Sequence, residues 1–420
     1  MLVRNATIWL LAATVLGAAA PLRAEDGGTE GAAAAAPADP TRGGWDSFLD
    51  PLRDAEDAYV TGSQKWLEDR TKVHVSAGIV KAWMYDFNDP VDGSAIPLHS
   101  LETHNSPSID LAQIGVSRPS EGWFIPGFGL KLDFGKVARR IKSDWDGDGM
   151  LDRGDVFETN NFDVEEVYLG WAVPDDSPAL GGLQLKGGKF VTLLGAEVIE
   201  PWANYNYSRS LLFSLAIPFT HTGVLATYPL TDKLSVSGGA VRGWDKVDNN
   251  NRGWSGIGNV SFAPLDSLAL AANGIWGPEQ TGTTDPKRGI MDLVATWKPT
   301  SAFTIVLNYD WAEEEDAAPG GDIARWQGFA AVFNYAFTDR ASAAFRGEWF
   351  EDHGGTRTGT RQTLWETTVT GKYQLTQHLY SRLEYRHDES EGAKPFAADH
   401  GRIALEGQDI LGFEFGYVFN

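Results

Sequence analysis

The chain has 420 residues, 35 of them basic and 57 acidic, for a formal net charge of −22. Nucleic-acid binding needs lysine and arginine on the phosphates, so this balance argues against that partner class. Cysteine is absent, which removes disulfides, thiolate catalysis and zinc–sulfur sites together.

Residues 1–24 read as a secretory signal peptide. Arg4 stands in a short charged start, an apolar run follows, and Ala24 offers a small residue at the break before Glu25. Residues 25–44 are rich in Ala, Gly and Pro and read as a flexible linker with no core to bury. Over residues 45–70 Trp45, Phe48, Leu49, Leu52, Ala55, Tyr59, Trp66 and Leu67 recur mostly at three- and four-residue steps. That spacing predicts an amphipathic helix, either periplasmic or seated as a plug in a pore.

From residue 71 to 420 the period becomes two. Near the end Phe413, Phe415, Tyr417 and Phe419 share one face, and Gly412, Glu414, Gly416 and Val418 share the other. Arg346 and Glu348 alternate with Phe345 and Trp349, and Arg382, Glu384 and Arg386 alternate with Leu383 and Tyr385. In a solid apolar core such charges would be buried without partners, whereas a lumen can keep them wet. Strand candidates begin near 73, 108, 123, 162, 183, 216, 233, 252, 267, 288, 302, 325, 341, 361, 377 and 408, and long charged loops alternate with short turns. Only helices or closed barrels satisfy their backbones inside lipid, and no second long apolar run exists. The expected fold is therefore all-β: a transmembrane antiparallel β-barrel of about 16 strands with a short N-terminal helix. An even strand count places both termini on the short-turn, periplasmic side of a bacterial outer membrane, with lipid and lipopolysaccharide as surroundings. One strand fits poorly: Lys81 shares parity with Ile79 and Trp83, which requires a bulge or a rim position.

Between the third and fourth strands the chain reads DWDGDGMLDRGD. Asp144, Asp146 and Asp148 match the alternating acids of an EF-hand-type loop, and Gly149 matches its turn. The carbonyl of Met150, then Asp152 and Asp155, fall at the later ligand positions. Calcium needs six to eight oxygens, which a chain wrapping one ion delivers from alternate residues. The expectation is a structural Ca2+ that stiffens an outer loop; the alternative is a solvated acidic loop without an ion.

The stretch from Gly188 to Asn250 is similar to the β-barrel porin-2, or OmpL-like, family of outer-membrane barrels. The matching positions are Gly188, Lys189, Phe190, Gly195, Glu197, Asn204, Tyr207, Ser208, Arg209, Ser210, Pro218, Phe219, Thr222, Gly223, Gly243, Trp244, Asp245 and Asn250. The resemblance implies a large barrel conducting small solutes and names no substrate. Within this stretch EPWANYNYSRSLLF is too apolar for an ordinary exposed loop. It reads either as a segment turned into the lumen, with Glu197 and Arg209 presenting opposite charges, or as a loop on the rim or against a trimer neighbour. Candidate pore or constriction residues are Glu197, Arg209, Arg346, Glu348, Glu366, Arg382, Glu384 and Arg386.

Three functions fit these observations. The favoured one is a porin-like channel for passive diffusion of small hydrophilic solutes or ions, compatible with a homotrimer, with no catalytic residues. The second is a plugged structural or adhesive barrel. The third is an outer-membrane hydrolase using His221 and Ser208, for which no nucleophile motif is present.

Overall fold

The computed structural model describes residues 49, 52, 53, 56, 61–90, 105–122, 124–144, 161–177 and 180–419. The signal-peptide and linker readings lie outside these residues. Sixteen antiparallel strands form one closed barrel. Fifteen of them follow in chain order: β1 His74–Asp86, β2 Ser108–Arg118, β3 Gly127–Phe134, β4 Phe162–Ala172, β5 Gln184–Val191, β6 Thr220–Pro229, β7 Leu234–Val241, β8 Ser255–Leu265, β9 Leu268–Pro278, β10 Lys287–Trp297, β11 Phe303–Ala318, β12 Asp322–Ala336, β13 Ala341–Asp352, β14 Gln362–Gln374 and β15 Leu379–Glu391. A small hairpin, β16 Phe396–Ala398 and β17 Ile403–Leu405, interrupts the series before β18 Gly407–Phe419 closes on β1. The sequence reading places every barrel strand, with the largest offsets at β3 and β6, which begin at Gly127 and Thr220.

The alternation in sequence is an alternation in space. Phe413 and Phe415 point outward at 37% and 45% exposure, while Glu414 between them faces inward with none. Outward aromatics pair across strands: Phe333 lies 6.4 Å from Phe345, and Trp349 lies 6.4 Å from Trp365. Such cross-strand pairs each add a few tenths of a kcal/mol, up to about 1 kcal/mol, beyond the backbone ladder. Lys81 points outward, and a bulge lies at its level: Val80 pairs with Leu111 but Lys81 pairs with Ile109. The extra residue is Asp110 on β2, which turns inward and is fully buried. A second bulge, opposite Lys131 and Leu132, leaves Glu165 as the extra residue and brings Glu165 and Glu166 to the lumen side together.

At the short-turn rim Arg53 Nη2 donates to the Leu375 carbonyl (2.8 Å), and the Thr376 hydroxyl donates to buried Glu56 (2.9 Å). Helix α1, Gly62–Thr71, buries none of its residues and ends on left-handed Lys72. Arg53 and Glu56, ahead of α1, thus tie the N-terminal region to the turn after β14. Helix α2, Lys136–Arg140, is a single short turn that buries Val137 and Ala138 after β3.

Gly188 on β5 takes φ +139°, and a Cβ there would meet the Val167 carbonyl at 2.3 Å. Gly238 on β7 has open space around its missing Cβ. Gly188→Ala is expected to cost about 1 kcal/mol or more and Gly238→Ala close to nothing, as read by denaturant unfolding in detergent.

Candidate functional site

The segment 192–219, between β5 and β6, enters the barrel. Pro201–Ala203 forms a 3-10 turn, with Pro201 supplying the pre-set φ of its first residue, and Leu212–Ala216 forms a π-turn. Neither is a long helix, so most backbone N–H and C=O groups of the segment lack regular partners. Inside a barrel those groups must still be satisfied.

The charged residues of the wall satisfy them. Arg382 on β15 donates to the carbonyls of Asn204 (2.8 Å), Pro201 (3.1 Å) and Asn206 (3.2 Å), and pairs with Glu414 at 3.3 Å. Glu384, two residues on, accepts the N–H groups of Tyr207 and Ser208 at 2.6 and 2.8 Å. Arg386 donates to the Arg209 carbonyl at 2.7 Å and pairs with Asp388 at 2.7 Å. Arg346 on β13 donates to the Ser208 carbonyl at 2.7 Å while pairing with Glu197 (2.8 Å), Glu366 (3.0 Å) and Glu348 (3.3 Å). Glu348 in turn accepts the Leu211 N–H at 2.8 and 2.9 Å. Arginine thus serves carbonyls and glutamate serves amides, each through charge-assisted hydrogen bonds, which are stronger than neutral ones.

All eight candidate constriction residues therefore meet around one segment. Arg209, Arg346, Glu348, Glu366, Arg382, Glu384 and Arg386 are buried, and Glu197 keeps 11% of its side chain exposed. Arg209 does not face Glu197 across open water. It donates to the carbonyls of Tyr207 (3.1 Å) and Ile199 (2.5 Å) within its own segment.

The far half of the segment is apolar. Leu211, Leu212, Phe213, Leu215 and Ile217 pack with Ile257, Ile275, Ile290, Trp326, Phe350 and Leu364 of the wall. Trp326 Nε1 donates to the Ala216 carbonyl at 3.1 Å, and Arg357 donates to the Leu215 carbonyl at 2.5 Å. Asp245, on the loop after β7, accepts the N–H groups of Phe219 (2.7 Å) and Thr220 (2.9 Å) at the segment's exit. Burial pushes its carboxyl up to about 6 against these two lowering donors.

A second charged group, on the β3–β5 side of the barrel, was not among the sequence candidates. Lys131 on β3 reaches Glu200 at 2.5 Å, Glu165 at 3.2 Å and Glu166 at 3.4 Å, and keeps 29% of its side chain exposed. Lys189 pairs with Asp163 at 3.0 Å, fully enclosed. The alternation in GFGLKLDF and FDVEEVYLG points these residues inward, but the bulge that turns both glutamates leaves no periodic signal.

The histidine–serine pair considered for hydrolysis is engaged elsewhere. His221 contacts the Gly243 carbonyl (2.8 Å) and the Thr192 hydroxyl (3.0 Å), and the Ser208 hydroxyl lies against Arg346 (3.0 Å) and Arg386 (3.3 Å). Of the calcium-loop candidates, Asp146, Asp148, Met150, Asp152 and Asp155 lie outside the described residues. Asp144 is buried and forms an isolated parallel bridge with Lys246.

A closed sixteen-stranded barrel with outward aromatics and an inward charged lining defines an outer-membrane β-barrel. The chain belongs to the beta-barrel porin-2, OmpL-like family, whose model matches residues 72–419. Among solved structures it is similar in fold to the Pseudomonas putida protein OprB, with 11% identity, TM-score 0.56, and 86% of this chain and 97% of that chain covered. An anion-selective porin from Comamonas acidovorans gives 8% identity and TM-score 0.54 over 83% of this chain and 99% of that one. The outer-membrane-expressed OmpT of Vibrio cholerae gives 13% identity and TM-score 0.52, covering 82% of this chain and 97% of that one. No curated protein sequence matches the chain.

Arg346→Ala leaves Glu197, Glu348 and Glu366 facing one another without their common cation, a loss on the order of 3–5 kcal/mol. It should open the segment to trypsin at Arg209, seen as a new fragment pair on gels, while the native protein resists. Asp245 provides a pH test. A folded pKa of about 6, above the usual 3.8, means its ionised form is disfavoured in the fold. Its contribution is largest at acid pH and is lost as pH rises through roughly 4 to 6. Asp245→Asn keeps an acceptor oxygen and should flatten that part of the melting-temperature profile.

Proposed function

We propose that the protein is an outer-membrane channel for passive diffusion of small hydrophilic solutes or ions, narrowed by the segment 192–219 and performing no chemical step. The observation that carries this reading is a segment seated inside a sixteen-stranded barrel, a size that leaves room for an aqueous lumen. The clamp arginines and glutamates set the width by fixing the segment's backbone. The passage runs on the other side of the segment, beside Lys131, whose side chain is 29% exposed where those of Arg346 and Arg382 are 0%. Selectivity would come from Lys131, Glu200 and their neighbours, in a focused field between low-dielectric walls.

In this reading both chain termini face the periplasm, the long loops face lipopolysaccharide, and the Asp144–Asp155 loop holds a structural Ca2+ on the outer side. A homotrimer fits a barrel of this size; the OmpT of Vibrio cholerae, similar in fold at 12% identity, has been described in a trimer form. A second reading, a plugged barrel, draws on the apolar contact between Leu211–Ile217 and the wall. Planar-bilayer recording of purified protein in a salt gradient separates the two. A channel gives small steady steps, with reversal potential shifted toward cations by Lys131→Ala and conductance raised by Arg346→Ala. Silence in the native protein, with current appearing only after Arg346→Ala, would establish the plug instead.

A further inference from the structure

The cations of the inner wall come with carboxylates. Arg386, Arg288, Arg346 and Arg382 meet Asp388 (2.7 Å), Glu314 (2.8 Å), Glu197 (2.8 Å) and Glu414 (3.3 Å). Lys131 has three such partners. Lys186 on β5 and Lys372 on β14 break the pattern. Both are half-buried, and among the described residues neither forms an ion pair or a hydrogen bond. The acids that act on them electrostatically, Glu166 and Glu414, are already paired with Lys131 (3.4 Å) and Arg382 (3.3 Å).

Each ammonium rests instead on a tyrosine ring, Lys186 4.2 Å from the centre of Tyr168 and Lys372 4.7 Å from that of Tyr380. An aromatic face holds a cation in place through its quadrupole and brings no net charge. The two positive charges are therefore positioned without being cancelled.

Their places in the barrel match. Lys186 pairs with Leu225, which is buried while Val224 beside it points outward at 59% exposure. Lys372 shares its face with buried Thr368 and Thr370, while Val369 and Tyr373 point outward. Lys186 is the third residue of β5 and Lys372 the third from the end of β14, so both stand at the short-turn end of the lumen. Around the ring of sixteen, β14 reaches β5 in seven steps through β15, β18, β1, β2, β3 and β4, which sets the two lysines on nearly opposite walls. Along the other arc the inward strand residues at this level include the hydroxyls of Thr227, Ser237, Ser261, Thr296, Thr304 and Ser342, and no carboxylate.

We infer that Lys186 and Lys372 form a charge filter at the short-turn end of the barrel, and that the solutes it favours are small anions. The inference deepens the channel reading and rests on it. A solute passing Lys131, whose charge three glutamates answer, meets its first uncompensated charge at Lys186. Two like charges facing each other between low-dielectric walls raise the local concentration of the opposite sign. The hydroxyls of the arc can donate to the oxygens of a carboxylate or phosphate.

The test is planar-bilayer recording of the full-length protein in a KCl gradient, with chloride and potassium as probes. The native channel is expected to pass chloride in preference to potassium. Lys186→Gln together with Lys372→Gln is expected to lower the chloride-to-potassium permeability ratio several-fold, and Lys186→Arg with Lys372→Arg to keep it near native. The difference should shrink between about 0.1 M and about 1 M salt, as the screening length falls from roughly 10 Å to 3 Å. Heat-dependent gel mobility shows that each variant is folded. A native preference for potassium overturns the inference, as does a native ratio in the conducting double glutamine variant; both results leave the channel itself standing. If the native protein is silent, the same substitutions are read in the Arg346→Ala background, where a ratio indifferent to the two lysines is equally fatal. Absence of current in both backgrounds overturns the channel reading and this inference with it.

Discussion

Irregular backbone inside a barrel needs hydrogen-bond partners, and this requirement organises the lumen. The segment 192–219 enters with only a 3-10 turn and a π-turn of its own. Its remaining amides and carbonyls are met by side chains that strand periodicity already directs inward. A guanidinium offers several donors in a fixed fork, so one Arg382 serves three carbonyls within 3.2 Å. A carboxylate offers two acceptors, so one Glu384 serves two consecutive amides. Removing either kind strands groups of the opposite kind, because the wall charges and the segment's backbone are mutually dependent.

That dependence separates two roles for charge in one lumen. On the β13–β15 side the charges are enclosed and structural, each closing a ring of partners. On the β3–β5 side Lys131 keeps part of its side chain exposed, while its partner Glu165 is buried. In the proposed channel, solutes would meet Lys131 directly, and the first group would act by fixing the position of the segment.

The barrel was legible in the sequence because its determinant is local. A period of two with apolar or aromatic residues on one parity is written in most strands, so the starts of β1, β2, β4 and β13 fall within a residue of their expected positions. The entry of EPWANYNYSRSLLF into the lumen was readable as a possibility from its apolar content. Its partners were not, because Glu348 and Leu211 lie 137 positions apart, and parity gives a face without a depth. The same limit hid the opposition of Lys186 and Lys372, which depends on where their two strands fall around the ring. Bulges hid the rest: Asp110 and Glu165 are extra residues that shift parity locally and left no trace in a two-residue count.

The clamp also carries information about time. Its donors and acceptors, Arg346 through Glu414, are all synthesised and threaded after the segment they hold, with separations such as the 177 positions between Tyr207 and Glu384. Contacts so distant along a chain form late. The segment therefore gains its β13–β18 partners only when those strands are in place, which couples its docking to closure of the barrel. A barrel halted before that step would be wider and leakier than the finished one.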